Sequence, residues 1–472
     1  MTGKTKRWDI LFSILSLTEV NYLIPVAEKL TRSGHKVCFV LFHDAAKKLL
    51  SEKNIAFYSM HTLKETIPYS KLEIDELRDF QSQYGIANTR DLYIREKVGY
   101  NRNNEHELLK KTIHYLQIME KILAENDVKL VMQTTGAFAA NQAVYYAARK
   151  NNIDHVFFEH SPFNEMALFL LNTYSCDMSD EIMNAPVSVE DKIKVENYIR
   201  KYDEQKFLRA ASDNKHLYSD MRLRKIINAE NAKRLKRKIY HKYISREKEE
   251  YDEIAWVIRN NFTRMFHRLL LSRYYVKPRN QNDKYIYFPF HVPSDTQLLI
   301  RSPMFQFQEC FIEYLSRSIP FGYRLYIKEH PAAIGGYWNH IIKKLIKNYG
   351  NISLIHPQVN SFDLIRNASL VVTVNSSVGF EALLQNKKVV VVGDAFYKNR
   401  GLTFDVYDLN KLGSLINNAL NSCEPGRDDV LNFLAKVYKW SFPCALFKME
   451  KESCESFYNY LQTTNFQRLK IR

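Results

Sequence analysis

Cysteine is scarce in this chain and nowhere paired at short spacing. Six cysteines (Cys38, Cys176, Cys310, Cys423, Cys444 and Cys454) are scattered over 472 residues with no CxxC. That pattern implies neither a zinc site nor a disulfide framework, and it suits a reducing compartment. Long apolar runs are missing as well, since none approaches the roughly 18–20 residues that a membrane-spanning helix needs. The N-terminus, MTGKTKRWDILFSILSLTEVNYL, is basic and then apolar, like a secretory leader. Thr18 and Glu19 break the run, however, and no small-residue cleavage site follows, so a first core strand is expected there. There is no nucleic-acid-binding motif, internal repeat or low-complexity segment. Nor does any Asp-x-Asp stand at a strand end in the second half, so no metal is expected.

Negative charge is also in deficit. Lys and Arg number 68 against 52 Asp and Glu, a formal +16, with a pI near 9.3. Such an excess suits phosphorylated substrates or an anionic membrane face. It is concentrated between Arg222 and Glu250, where eleven Lys/Arg stand against four Asp/Glu. This segment is either a solvated helical face or a patch for an anionic membrane surface; no nucleic acid is expected as a partner.

What is present is an alternation of short apolar runs and amphipathic stretches. DILFSIL (9–15), a helix from Glu19 to Ser33, a strand from Lys36 to Phe42 and a helix from Asp44 to Lys53 make a βαβα opening. The segment Glu105 to Asn126, strand Lys129–Gln133, helix Ala137–Lys150 and strand His155–Glu159 complete a first α/β domain, residues 1–165. Residues 166–280 read as a helical, basic insertion. From Lys284 five strands alternate with four helices, giving a second α/β domain over 281–425. Ser302-Pro303 reads as the N-cap and first residue of a helix. Residues 426–472 read as helices packing back across the domains.

Three runs in the second domain carry chemistry. YRLYIKEHP ends a strand with Lys328, Glu329, His330 and Pro331. LVVTVNSSVGFEALLQNKKVVVVGD runs a buried strand, Leu370–Val374, into Asn375, Ser376 and Ser377, with Ser376 or Ser377 as the N-cap of the next helix. YKNRGLTFD forms a loop around Thr403. Small polar residues at a parallel strand's carboxyl end aim backbone N–H groups and a helix dipole at the space above the sheet, which favours a phosphate. Lys328 offers a point charge and His330 a donor near neutral pH. Glu381 lies one turn into the helix. Val378, three residues before it, cannot cap, so Glu381 is no capping-box partner, and it is placed to take ribose hydroxyls. His291, with Ser294, Asp295 and Thr296, follows the first strand of this domain toward the same edge.

Together KEHP, NSSVGFEALLQNKKVVVVGDAFY and GLTFD resemble the bacterial capsule polysaccharide synthesis family, which includes β-Kdo transferases acting on lipid-linked capsule primers. FPFHVPSDTQLLIRSPMFQ is similar to the strand–loop–helix opening of that family's nucleotide-binding domain. The resemblance covers residues 284–410 well and the first domain loosely. It implies two doubly wound Rossmann-like domains facing across a cleft, the GT-B fold. It also implies a cytoplasmic, membrane-peripheral glycosyltransferase that moves a sugar, Kdo from CMP-Kdo, onto a capsule or lipopolysaccharide glycan or its lipid primer. No cofactor is implied beyond the CMP-sugar co-substrate. By resemblance His330 and Ser376-Ser377 bind the donor phosphate and Glu381 the ribose, while Lys328 and the Thr403 loop complete the pocket. Glu159 stands where the family has an acid; His160 replaces a second acid and the following Gly is absent, so base, nucleophile and structural roles for the pair stay open. A CDP-glycerol or CDP-ribitol phosphotransferase and a non-catalytic capsule-assembly scaffold are the rival readings.

Overall fold

The computed structural model describes residues 6–70, 74–176, 178, 180–206, 227–251, 254–278 and 283–463. Two compact units share the chain. Unit 1 takes Met1–Tyr174, Ala232–Ile254 and Ser441–Arg472; unit 2 takes Ser175–Asn231 and Ala255–Trp440. The expected boundary at 165 therefore falls at 174, and the expected basic insertion is divided between the units rather than standing apart. Residues 222–226 of the basic run lie outside the described residues.

Unit 1 is built on a 7-stranded sheet. Its strands are β1 (Lys6–Ile14), β2 (Val37–Leu41), β3 (Ala56–Ser59), β4 (Asn126–Thr134), β5 (Asp154–His160), β6 (Met166–Leu171) and β14 (Phe442–Pro443), in the order β14-β6-β5-β4-β1-β2-β3. β1 to β5 are parallel; β6 runs antiparallel to β5, and β14 to β6. Alternate side chains of one strand feed opposite cores. Ile10, Phe12 and Ile14 join one cluster with Phe39 and Met132, while Leu11 joins Val40 and Val131 in another. Both faces are covered, which is why these strands read as unbroken apolar runs. Helices α1 (Leu17–Arg32), α2 (Glu105–Glu125) and α3 (Ala139–Lys150) flank the sheet.

Unit 2 repeats the plan. Strands β7 (Tyr275–Val276), β8 (Tyr285–Pro289), β9 (Arg324–Lys328), β10 (Ile352–Ile355), β11 (Leu370–Thr373), β12 (Val389–Val391) and β13 (Phe404–Asp405) form a parallel sheet in the order β13-β12-β11-β8-β9-β10-β7. From β8 the chain winds outward through β9 and β10, then returns to lay β11 on the other side of β8. That reversal is a topological switch point between β8 and β11, where ligands of open α/β sheets bind. The helices of unit 2 include α4 (Val189–Gln205), α6 (Ile254–Leu271), α7 (Ser377–Leu384) and α8 (Arg427–Trp440), while α5 (Ala229–Ile239) falls mostly in unit 1. α8 lies against α4 within unit 2. α9 (Lys451–Thr463) belongs to unit 1 and packs on α1, with Phe457 edge-on to Tyr22.

The expectation of two doubly wound α/β units is met. Among the described residues no helix is long and apolar enough to cross a membrane.

Candidate nucleotide site

Of the residues nominated in unit 2, His291, Lys328, His330, Ser376 and Ser377 stand at or just past the carboxyl ends of β8, β9 and β11, whereas Glu381 lies in the helix that follows β11 and Thr403 just before β13. β11 ends at Thr373, and Asn375 and Ser376 turn the chain into α7. Ser376 is the N-cap: its Oγ accepts from Val378 N (3.1 Å), and its own N–H donates to Thr373 Oγ1 (3.1 Å). Ser377 is the exposed first residue of the helix. Tyr397, fully buried, donates its hydroxyl to the Ser376 carbonyl (2.8 Å). It passes so close that a Cβ on Gly379 would lie 2.2 Å from that oxygen. Glycine at 379 is therefore required by packing against Tyr397.

His291 bridges the switch point. Its backbone is clamped by the Gln308 amide, with His291 N–H donating to Oε1 (2.6 Å) and Nε2–H donating to the His291 carbonyl (3.0 Å). Asn375 N–H donates to the His291 ring at Nε2 (3.3 Å). A backbone N–H can only donate, so Nε2 carries the lone pair and the neutral ring holds its proton on Nδ1. Burial keeps the ring neutral by pushing its pKa down to about 4. That Nδ1 is buried and has no hydrogen-bond partner among the described residues, and the same holds for Asn375 Oδ1. A buried donor left unmade is costly, which marks this crevice as a place where a ligand or water completes the bonding.

His330 lies at the end of β9 and caps the short helix Pro331–Ala333, its Nδ1 accepting from Ala332 N (3.1 Å). In the neutral ring Nε2 is then the N–H. It sits near enough to His291 for its charge to help lower the His291 pKa. Tyr337 ties the two together, accepting from His330 N (3.1 Å) and donating to the His291 carbonyl (3.1 Å).

Lys328 takes a different position from the one expected. It is buried, and its Nζ donates to the Val359 carbonyl (2.6 Å) and to Ser361 Oγ (2.8 Å). Burial lowers its pKa to about 8, with Glu381 pulling it back up. Glu381 accepts from the Tyr202 hydroxyl of α4 (3.0 Å). Thr403 donates to Asp405 Oδ1 (2.6 Å) and so shapes its own loop. Glu329 is buried behind the strand end, bonded to Gly335 N (2.9 Å) and the Tyr275 hydroxyl, and burial raises its pKa.

Ser302 and Pro303 do open a helical turn, the 3-10 helix Pro303–Phe305, but the α-helix starts only at Gln308 and the Ser302 side chain makes no cap bond. Its buried hydroxyl instead accepts from Asp394 N (2.9 Å) and Asn375 Nδ2 (3.1 Å), joining the ends of β11 and β12. On its other side opens a cavity of about 600 Å³, lined among others by Arg301, Met304, Phe305, Asp394 and Lys398. Of these the sequence singled out none.

In unit 1, Glu159 and His160 pair with Leu168 and Ala167 in an antiparallel hairpin, so no helix follows them. Glu159 is half-buried and His160 exposed, with the His160 ring edge-on to Phe447. A carboxylate the sequence passed over, Glu19, occupies the end of β1. It accepts from Leu15 N (2.6 Å), Ser16 N (3.1 Å) and Thr134 Oγ1 (3.0 Å), completing a capping box with Ser16. The Ser-x-x-Glu spacing was the signal.

Unit 2 is thus a doubly wound α/β unit with neutral donors gathered at its switch point, where ligands of such sheets bind. Residues 189–411, a little under half of the chain, match the family model described as capsule polysaccharide biosynthesis protein. The family resemblance read from the motifs therefore holds over that region. Two curated relatives match part of the chain. FixF of Sinorhizobium fredii is 32% identical over 166 residues, 34% of this chain and 37% of FixF. The capsule polysaccharide export protein KpsS of Escherichia coli is 30% identical over 185 residues, 33% of this chain and 47% of KpsS. The chain thus spans less than half the length of either. Among solved structures, the beta Kdo 2,7 transferase of Thermosulfurimonas dismutans KpsC aligns over 97% of this chain and 99% of that one, at 14% identity and a TM-score of 0.38.

Proposed function

We propose that the chain is a glycosyltransferase of capsule or lipopolysaccharide assembly that takes Kdo from CMP-Kdo, with its donor site at the switch point of unit 2. The observation that carries the reading is the His291–Asn375 bridge: a neutral ring whose Nδ1–H has no partner, beside a serine-capped helix N-terminus. Both present N–H donors, as a departing phosphate requires. When the glycosidic bond to CMP breaks, charge grows on the departing phosphate. His291 Nδ1–H, His330 Nε2–H and the first turn of α7 stabilise it there. Glu381, oriented by Tyr202, takes the ribose. The cavity beyond Ser302 receives the sugar. Lys328 acts at one remove, setting the field around Glu381. Glu159 or His160 of unit 1 serves the acceptor hydroxyl. The enzyme works in the cytoplasm at the inner membrane on a glycan or lipid-linked acceptor.

The test is a thermal-shift panel of CMP-Kdo, CMP and CDP-glycerol, followed by transfer assays and anomeric NMR of the product. His330→Ala is expected to keep the fold and lower turnover about a hundredfold or more. Stabilisation by CDP-glycerol in preference to CMP-Kdo would move the reading to a glycerophosphotransferase. No response to any cytidine nucleotide would leave a scaffold.

A further inference from the structure

Helix α6 is amphipathic the wrong way round. It is attached to unit 2 by its polar side, where Arg264 donates to the carbonyls of Ala332 (2.8 Å) and Ile334 (3.1 Å), and the His267 ring bonds to that of Gly335 (3.1 Å). The contact is tight, because a Cβ on Gly335 would lie 2.1 Å from the Arg264 carbonyl oxygen. The opposite side carries Ile258, Phe262, Phe266 and Leu269, which are 41%, 40%, 58% and 55% exposed. At about 100° per residue these four fall within an arc of roughly 80°. A surface helix of a soluble unit normally turns such a stripe inward. Among the described residues nothing buries this one.

Charge selects the partner. From Ile254 to Leu271 there is no Asp or Glu; Arg259 on the helix is exposed, as are Arg273 and Lys277, which follow it in the chain. We infer that this face of α6 lies in the interface of an anionic lipid bilayer, with the two phenylalanines and their aliphatic neighbours among the acyl chains and the flanking cations at the headgroups. α6 also grips the turn that follows His330, so one helix both docks on lipid and shapes the donor crevice. The inference does not depend on which nucleotide the crevice takes.

Cosedimentation of the full chain with vesicles tests it, using phosphatidylcholine alone and phosphatidylcholine mixed with phosphatidylglycerol. The wild type is expected to bind the mixed vesicles and to retain part of that binding at high salt. Phe262→Ser and Phe266→Ser, both at exposed positions, should each weaken it roughly tenfold without moving the thermal midpoint or the response to CMP. Arg259→Gln with Arg273→Gln should abolish the preference for phosphatidylglycerol. Undiminished binding by the double serine variant, or no binding by the wild type, overturns the inference. So does a wild-type dimer in light scattering that the serine variant dissolves, which would give the stripe to a second copy. Vesicle binding without any nucleotide response would remove the proposed donor and leave this surface standing.

Discussion

In unit 1 the helix N-termini above the strand ends are filled by the protein's own acids. Glu96 is fully buried and accepts from Ala139 N at the start of α3 (3.0 Å), while the Tyr251 hydroxyl accepts from Ala140 N (3.2 Å). Glu19 does the same service for α1. In unit 2 the equivalent helix, α7, is capped by a neutral hydroxyl, and its neighbour His291 is a neutral ring with an unused N–H. A helix dipole and its first N–H groups attract an anion wherever they occur. Unit 1 supplies that acid internally; on the proposed reading unit 2 takes its anion from outside. A serine caps both α1 and α7; what differs is the carboxylate, Glu19 or Glu96, that unit 1 adds at its helix starts.

The largest effect should come from breaking the internal solution. Lys111 donates to Glu96 (3.4 Å) and Glu250 (2.8 Å), and all three are nearly inaccessible. Lys111→Ala leaves two buried carboxylates uncompensated and should destabilise unit 1 by about 3–5 kcal/mol in urea unfolding. Lys328→Met in unit 2 should be far milder, because burial already disfavours its charge. Equal losses in the two variants would remove the contrast between the units. Next comes importing unit 1's device into unit 2. Ser376→Asp keeps a good N-cap and should hold stability level or raise it by up to about 1 kcal/mol. The new carboxylate would repel a phosphate at the same helix end, and CMP binding by calorimetry should weaken about a hundredfold. A variant that binds CMP as tightly as the wild type would show that the crevice is not the anion site.

Much of this was legible locally. Strands buried on both faces announce themselves as apolar runs, so β2 falls inside the expected Lys36–Phe42 and β11 ends within a residue of the expected Leu370–Val374. The Asn-Ser-Ser run names its own cap because an N-cap bond spans two or three residues. What stayed hidden depends on distance along the chain. Ser302 meets Asp394 across 92 residues, and Tyr202 meets Glu381 across 179; no spacing rule connects them. The two-residue strands β7, β13 and β14 are too short to show a period. Lys328 misled for a third reason: a lysine at a strand end looks like a phosphate ligand until Val359 and Ser361 are seen to take its hydrogens.

A smaller effect concerns His291 and its counterpart in unit 1, His155, both held neutral by burial, with pKa values near 4 and 3. In the unfolded chain each takes up a proton around pH 6.5, whereas the folded ring resists until far lower. Each therefore contributes stability above pH 6.5 that is lost as the pH falls. Glu19, Glu96 and Glu329, raised by burial, act in the opposite sense, so only a difference isolates the ring. The stability advantage of the wild type over His291→Gln should shrink by about 2 kcal/mol between pH 6.5 and 5. A gap that stays constant across that range would mean the ring is charged in the native state, and its Nε2 could not then accept from Asn375.

The smallest change separates the ribose reading from a merely structural Glu381. Tyr202 donates to Glu381 and accepts from Gln385 Nε2 (3.0 Å), so Tyr202→Phe should reduce stability by only about 1 kcal/mol. The carboxylate, no longer held, can turn away from the sugar while the phosphate contacts at α7 and His291 are untouched. Binding of CMP should then fall by a few fold and that of its 2′-deoxy analogue hardly at all, because the analogue lacks a hydroxyl for Glu381 to grip. If both nucleotides weaken together, Tyr202 supports the helix rather than the acid, and Glu381 owes its place near the crevice to packing alone.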